Sequence, residues 1–333
     1  NGGSACERWI RARTVDPRSN GLWTTKRPST GRQSCLHRAC GDHSHVHMEI
    51  LRSHQSGSAI GRIASDQDGW TMPVRGTRVR GDVDVTHALM TQCFIAAADR
   101  FAVACDLTSA HLWSMVVPGG FGLDVDAQAC AVATIRDGTR LQSRGVRGRR
   151  LELPPEHVTL LNGTPITTPA RTWIDCAAFM SWTDVVAMGD GLLRASLATR
   201  DDLTRMVSWG KGRRGIRAAR WALPILDPHA ESPAESWVRA HLIRAGIRPP
   251  ACNPTVRIGN RRVRLDLAWL PEKVAVEYDG VDHHGPERHL HDARRRDLLR
   301  RAGWEIVVIR KEDLATPGDL AAVVAQLLRS RQA

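Results

Sequence analysis

Lysine is scarce in this 333-residue chain, where Lys26, Lys211, Lys273 and Lys311 are the only ones. Arginine therefore carries most of the positive charge, and 47 Lys+Arg against 35 Asp+Glu give a formal net charge of +12. Guanidinium groups bind phosphate through two N–H groups at once. The charge balance favours nucleic acid as the first partner to consider, although basic bias alone is unspecific.

Long hydrophobic runs are also missing. The longest, Cys93 to Leu107, is interrupted by Asp99 and Arg100, whereas a spanning helix needs roughly 20 apolar residues. This absence excludes insertion into a membrane. No basic start is followed by an apolar stretch and a cleavage site, so the expected location is cytoplasmic.

Closely spaced cysteine pairs of the CxxC kind do not occur among the eight cysteines. This scatter argues against a disulfide framework and predicts reduced, mostly buried thiols. The first 58 residues are rich in Ser, Gly, Arg and His without an apolar period, which predicts a disordered or mis-assigned leader.

Regular patterns begin near Thr71 and predict a mixed α/β region that becomes helical toward Leu226. Helix starts are expected at Asp106, at Thr168 before a proline, and at Thr199, which forms a capping box with Asp202. Near the end of this region, two readings stay open for the basic segment from Lys211 to Arg220: it lies along a phosphate backbone, or it forms a solvated face. Its arginines are Arg213, Arg214, Arg217 and Arg220.

The C-terminal third opens with Ser232, Pro233 and Glu235, the pattern of an N-cap, a first-turn proline and an N3 acid. Two alternating segments follow, Arg261 to Leu270 and Lys273 to Asp279, and predict strands. A turn between them predicts a hairpin in which paired residue numbers sum to about 543.

In this hairpin the carboxylates of Asp266 and Glu277 face each other, and Asp279 lies beside Glu277 opposite Arg264. Like charges placed opposite each other destabilise a hairpin, so this cluster needs a counter-charge. A divalent metal ion is one source. The alternative is a solvated face on which Arg262 and Arg264 neutralise the acids.

Beyond the hairpin come His283 and His284, and then an arginine-rich helix from Pro286 to Ala302. The apolar run from Trp304 to Ile309 predicts a buried strand, and the stripe from Leu320 to Leu328 predicts a closing helix. The predicted order is helix, three strands, helix, strand, helix.

The segment "HVTLLNGTPITTPARTWIDCAA", residues 157–178, resembles the C-terminal part of AbiEi-type antitoxin proteins, which commonly carry a winged-helix domain ahead of it. Here "MPVRGTRVRGDV", residues 72–83, is similar to the end of such a wing. The resemblance implies a winged-helix remnant in residues 59–84 and an antitoxin-like, mostly helical α/β domain in residues 85–226.

The segments "RLDLAWLPEKVAVEYDG", "HH" and "RRRDLLRRAGWEIVVIR" resemble the very-short-patch-repair (Vsr)-like endonucleases of the PD-(D/E)XK superfamily. The resemblance covers about 231–328 and implies an α+β, restriction-endonuclease-like αβββαβα core in residues 229–333. It further implies that Asp266 and Glu277 hold Mg²⁺ or Mn²⁺, with Glu235 as a further acid.

The superfamily's lysine two residues after the second acid is Asp279 here. Vsr-like proteins lack that lysine too, so the resemblance makes His283 or His284 the candidate proton acceptor, and Arg296 could stabilise the transition-state phosphate. For each histidine, an ordinary loop role is an equal alternative. The predicted nucleic-acid contacts are Arg264, Arg294, Arg295, Arg296, Arg300, Arg213 and Arg214.

These patterns predict a metal-dependent DNA endonuclease, a hydrolase of phosphodiester bonds, whose basic middle region grips DNA. The alternative is a non-catalytic DNA-binding regulator of the type IV antitoxin kind on a decayed nuclease fold. A third possibility is a protein that acts only with a partner protein encoded nearby.

Overall fold

The computed structural model describes residues 50–52, 70–80, 84–98, 101–118, 129–135, 140–279, 286–310, 312–315 and 317–332. Contacts divide the chain into two compact units. The first holds the described residues up to 113 and those of 123–168, and the second holds those of 114–122 and from 169 onward. Except for residues 50–52, the predicted leader lies outside the described residues.

Strands dominate the first unit. They are β1 (Ile50–Arg52), β2 (Trp70–Thr71), β3 (Thr77–Arg80), β4 (Ala102–Ala104), β5 (Cys130–Ile135), β6 (Val146–Leu151), β7 (Val158–Leu161) and β8 (Thr164–Thr167). The last five form one mixed sheet in the order β6-β5-β4-β8-β7, and the first three form a small antiparallel sheet in the order β1-β3-β2. β2 and β3 lie in the region predicted as a winged-helix remnant, which stays a prediction.

The described residues of the first unit also form two helices, α1 (His87–Ala97) and α2 (Asp106–Leu112). Thr86 caps α1 by accepting a hydrogen bond from the N–H of Leu89. The start of α2 is the one expected from the sequence. Buried side chains of α1 pack with those of β4, β5 and β8, so the sheet has an apolar core on this face.

Helices make up most of the second unit. They are α3 (Pro169–Ala177), α4 (Trp182–Arg194), α5 (Arg200–Trp209), α6 (Ile216–Ala222), α7 (Pro233–Arg244), α8 (Pro286–Arg301) and α9 (Pro317–Gln332). The side chains of Thr199 and Asp202 form the expected reciprocal capping box at α5. The helices α3, α5 and α7 begin where the sequence predicts, so these three starts are confirmed.

A buried ion pair ties α4 to α7. Oδ2 of Asp190 lies 2.5 Å from Nη2 of Arg239, and both side chains are at most 2% exposed. The same carboxylate accepts hydrogen bonds from Ser236 Oγ and from the N–H of Asp227, both at 2.7 Å. The helices on either side of residues 226–229 therefore pack together, although the two family resemblances place a domain boundary there. The predicted domain limits stay a prediction.

The described residues of the second unit also form six strands. They are β9 (Ala251–Cys252), β10 (Thr255–Ile258), β11 (Arg261–Arg264), β12 (Leu267–Trp269), β13 (Val274–Tyr278) and β14 (Glu305–Ile309). Four of them form a sheet in the order β14-β13-β12-β9, and β10 pairs with β11 in a separate hairpin. β13 and β14 run parallel, whereas β12 is antiparallel to both neighbours.

The predicted register of the β12–β13 hairpin is confirmed. Leu267 pairs with Val276, Ala268 with Ala275, and Trp269 with Val274, so the residue numbers of each pair sum to 543. The next pair in this register would be Asp266 and Glu277. Register alone therefore brings the two predicted metal ligands to the same end of the hairpin.

The predicted continuous strand from Arg261 to Leu270 is wrong. The chain leaves regular pairing at Leu265 and Asp266, so β11 and β12 belong to different sheets. A continuous strand would place Val263, Leu265 and Trp269 on one face. Because the alternation restarts after the break, Val263 and Leu265 pack in a different core from Trp269. The predicted position of Arg264 opposite Asp279 fails for the same reason.

Helices cover both faces of the four-stranded sheet. Leu267 and Val276 pack in one core with residues of α7 and α9, while Ala268 and Ala275 pack in another with Leu299 of α8. In chain order, the sheet strands and their helices run α7, β9, β12, β13, α8, β14, α9. The protein thus has a mixed α+β fold.

Within the ranges given above, none of the helices combines the length and the apolar character that crossing a membrane requires.

Candidate active site

Asp266 occupies the break between β11 and β12 and is half-buried. Its Oδ2 accepts a hydrogen bond of 2.9 Å from the backbone N–H of Tyr278, on the neighbouring strand β13. Burial, together with the negative charges of Glu235 and Glu277, raises the pKa of this carboxyl to about 6, although the Tyr278 hydrogen bond and the charge of Arg295 lower it. The raised pKa thus reflects first of all that Asp266 is poorly solvated.

Glu277 lies on β13 with only 8% of its side chain exposed. Arg295 of α8 meets it with two nitrogens: Nη1 donates to Oε2 at 2.9 Å, and Nη2 lies 2.8 Å from Oε1. Oε1 is buried without a well-aligned hydrogen bond. The second predicted metal ligand therefore has a counter-charge within the protein itself.

Asp279, at the position of the superfamily's lysine, is half-buried after β13. Its Oδ2 lies 3.4 Å from Nη2 of Arg296, whose Nε lies 3.9 Å from Oε2 of Glu277. Two successive arginines of α8 thus face the acids of β13. The alternative in which Arg262 and Arg264 neutralise them is wrong, because β11, which carries both arginines, pairs with β10 in a separate hairpin and not with β13.

Glu235 is buried in the first turn of α7. Its Oε1 accepts a hydrogen bond from Ser232 Oγ at 2.9 Å, and its Oε2 accepts from the N–H of Glu231 at 2.8 Å and from Asn253 Nδ2 at 2.6 Å. Glu235 therefore stabilises the start of the helix, as its N3 position predicts. Its charge nevertheless acts on Asp266, and its proposed catalytic role stays a prediction.

Asn253 is a site residue that sequence reasoning missed. Its N–H donates to the backbone carbonyl of Asp266 at 2.8 Å, its Nδ2 bonds Glu235, and its Oδ1 accepts from Arg264. Its φ of +51° suits Asn better than most residues. The Asn-Pro pair at 253–254 signals a turn, but no local pattern shows that this turn joins two predicted acids.

The predicted nucleic-acid contacts fall into two groups. Arg295 and Arg296 point at acids, Arg264 pairs with Glu231, and Arg213 stacks on the Trp209 ring with 3.8 Å between Cζ and the ring centroid. The predicted arginines with exposed side chains are Arg264, Arg294, Arg300 and Arg214.

A second group of basic and aromatic side chains lies on the helices of this unit. The Trp182 ring contacts the edges or faces of Trp221 and His241, with centroids 5.0 and 4.8 Å apart. The guanidinium of Arg244 lies over the Trp182 ring at 4.4 Å. Arg217 is exposed one helical turn before Trp221. We call these five residues the aromatic–arginine surface.

His283 and His284 lie outside the described residues. Among the residues that are described, no three His, Cys, Asp or Glu side chains come together as a metal site. Asp266 and Glu277 are nevertheless the hard oxygen donors that Mg²⁺ takes. The buried Oε1 of Glu277 and the raised pKa of Asp266 fit a site that a cation would neutralise.

No protein-family model matches this chain, and no solved structure matches it either. Two similar proteins are the uncharacterized protein MT2308 of Mycobacterium tuberculosis strain CDC 1551 / Oshkosh and the uncharacterized protein Rv2248 of strain ATCC 25618 / H37Rv. Each is 33% identical over 256 residues, which cover 72% of this chain and 88% of the relative. The chain therefore belongs to the same protein family as these two mycobacterial proteins.

Proposed function

We propose that the protein is a Mg²⁺-dependent DNA endonuclease that hydrolyses phosphodiester bonds at Asp266 and Glu277. The observation that carries this proposal is the position of the two carboxylates, at one end of the β12–β13 hairpin and beneath the arginine-bearing helix α8. Such a cluster places oxygen ligands and phosphate-binding groups side by side.

The order of elements supports the same proposal. A helix, three sheet strands, a helix, a parallel strand and a final helix follow one another from α7 to α9, as the resemblance to Vsr-like endonucleases implies. The resemblance implies an Asp at the end of one strand and a Glu on the next, and Asp266 directly before β12 and Glu277 on β13 are compatible with this arrangement.

Asp266 and Glu277 would hold the metal ion in this proposal. When bound, Mg²⁺ activates a water molecule for attack and stabilises the charge on the leaving oxygen. The Tyr278 N–H orients the Asp266 carboxylate, and the Asn253 N–H fixes the backbone that carries it. His283 or His284 would accept the proton of the attacking water, in place of the lysine that Asp279 replaces.

The exposed arginines supply contacts to the DNA backbone. Arg294 and Arg300 are exposed on α8, the helix whose Arg295 and Arg296 contact the acids, and Arg214 precedes α6. The aromatic–arginine surface adds guanidinium groups and indole rings, the side chains that bind phosphates and stack on bases.

Cleavage of plasmid DNA tests the proposal. The wild-type protein with Mg²⁺ or Mn²⁺ should nick or linearise the plasmid, and Asp266→Asn and Glu277→Gln should each lower the rate at least about 100-fold, because a direct metal ligand matters at least as much as its outer partners. Asp297→Asn, a change to an exposed acid of α8, is the matched control. Equal cutting by all four proteins, or none with any divalent metal, contradicts the proposal.

A non-catalytic DNA-binding regulator of the type IV antitoxin kind is the second candidate. It is favoured by the Arg295–Glu277 ion pair and by Asp279 in place of the lysine, since an unused metal site tolerates both. Sequence-preferring, salt-dependent binding without cleavage would support it, and a metal ion bound at Asp266 would count against it. A partner protein encoded nearby is compatible with either candidate.

A further inference from the structure

Arg295 binds the carboxylate of Glu277, which is a metal ligand in the proposed function. Two of its nitrogens lie within 2.9 Å of the Glu277 oxygens. Glu277 is buried, whereas 26% of the Arg295 side chain is exposed. The carboxylate is thus fixed by its strand, and the guanidinium reaches it from the solvent side.

The remaining contacts of Arg295 leave it free to change partner. Besides Glu277, it donates to the backbone carbonyl of Arg264, a neutral acceptor that water can replace. Asp279, the other acid beside α8, is served by Arg296 instead. Among the described residues, Glu277 is therefore the acid that Arg295 contacts directly, while the charge of Arg295 also acts on Asp266.

A divalent cation and Arg295 compete for the same oxygens. A cation bound by Asp266 and Glu277 would lie beside the guanidinium and repel it, and this repulsion is strong in a site that is poorly solvated. Glu277 Oε1 is buried without an aligned hydrogen bond, so it has lone pairs available to a metal ion.

We propose that Arg295 is an exchangeable internal counter-ion, which neutralises Glu277 until a divalent cation binds there and displaces the guanidinium toward the phosphate of a nucleic acid. Arg295 is thus a positioning residue that links metal occupancy to phosphate binding. This inference rests on the proposed metal site at Asp266 and Glu277 and adds a regulatory step to it.

A titration with Mn²⁺ at pH 8 tests this exchange without measuring activity. Binding is measured as the loss of the electron paramagnetic resonance signal of the free ion. Arg295→Gln keeps a planar N–H donor for Glu277 and removes the charge, so it should bind Mn²⁺ on the order of tenfold more tightly than the wild type. Arg295→Lys keeps the charge and should stay near the wild type.

The matched control is Arg301→Gln, which removes the same charge from an exposed site on the same helix and should leave the affinity unchanged. If Mn²⁺ binding depends on Asp266 but Arg295→Gln binds no more tightly than Arg301→Gln, the exchange is overturned and the metal site stands. If neither the wild type nor Arg295→Gln binds Mn²⁺, the exchange and the proposed nuclease site are overturned together.

A measurement on the wild-type protein covers the case in which Arg295→Gln does not fold. The Nε–H signal of Arg295 in a ¹⁵N-correlation spectrum, assigned with Arg295→Lys, should shift when Mg²⁺ is added. An unmoved signal under conditions where calorimetry detects Mg²⁺ binding overturns the exchange.

Discussion

The guanidinium of Arg295 lies against the carboxylate of Glu277, with Nη1 2.9 Å from Oε2 and Nη2 2.8 Å from Oε1. The pair joins helix α8 to strand β13 and neutralises a buried acid. Asp266, the next residue in the hairpin register, accepts a hydrogen bond from the Tyr278 N–H, and its pKa stays raised although the charge of Arg295 lowers it. The two predicted metal ligands thus differ in how their charges are balanced, and this difference leads to the first prediction.

Asp266→Asn should stabilise the protein at pH 8. The folded-state pKa of about 6 lies above the ordinary 3.8, so the folded protein binds more protons and the charged carboxyl destabilises it at pH above 6. About two pKa units correspond to at most about 3 kcal/mol. Asparagine removes the charge and can still accept the Tyr278 N–H.

Urea unfolding at several pH values checks this prediction. The gain in the free energy of unfolding should shrink as the pH falls through 6 and vanish only well below the ordinary pKa of 3.8, where the aspartate is protonated in both states. Asp297→Asn, at an exposed position, should show no such trend. A less stable Asp266→Asn at pH 8 would contradict the pKa assignment.

Asp190→Ala should destabilise the second unit strongly. It leaves the buried Arg239 guanidinium without its acid, and breaking a buried pair from one side costs about 3–5 kcal/mol. Chemical denaturation measures the loss. Arg331→Ala, which removes an exposed pair with Glu305, should cost no more than about 1 kcal/mol. Similar losses for the two variants would show that the buried pair adds little.

Substitutions of Glu235 separate its capping role from a role in catalysis. Glu235→Ala removes three accepted hydrogen bonds at the start of α7 and should cost about 1–2 kcal/mol. Glu235→Gln keeps a residue that suits a capping box and should lose less. If Glu235→Gln stays folded but loses cleavage, the carboxylate has a chemical role, whereas full cleavage assigns Glu235 to capping alone.

The double variant Arg217→Ala with Arg244→Ala should bind DNA more weakly. If both arginines contact phosphates, the slope of log affinity against log salt should fall by about 2, with a loss of about tenfold or more at low salt. Fluorescence anisotropy of a labelled duplex in EDTA measures binding without cleavage. Arg329→Ala with Arg331→Ala, two exposed arginines of α9, removes equal charge elsewhere, and equal losses for both doubles would exclude a specific contact.

Local signals predicted the helices and the hairpin of the second unit well, because each depends on neighbours in the chain. Ser232, Pro233 and Glu235 specify the start of α7 through their own hydrogen bonds. Strict alternation on both sides of a short turn set the register between β12 and β13. The same register brought Asp266 and Glu277 to one end of the hairpin.

The charge balance of the site was decided only by tertiary structure. The apolar alternation of the sequence continues through Leu265 and Asp266, so no local pattern shows that the strand is interrupted there. Because β11 pairs with β10 and not with β13, Arg264 contacts Glu231. Arg295 lies 18 residues after Glu277 in the chain and contacts it from helix α8. The sequence by itself thus determined which acids lie at the same end of the hairpin. The packing of α8 on the sheet determined which cation neutralises them, because the contact between Arg295 and Glu277 joins residues whose separation in the chain carries no periodic signal.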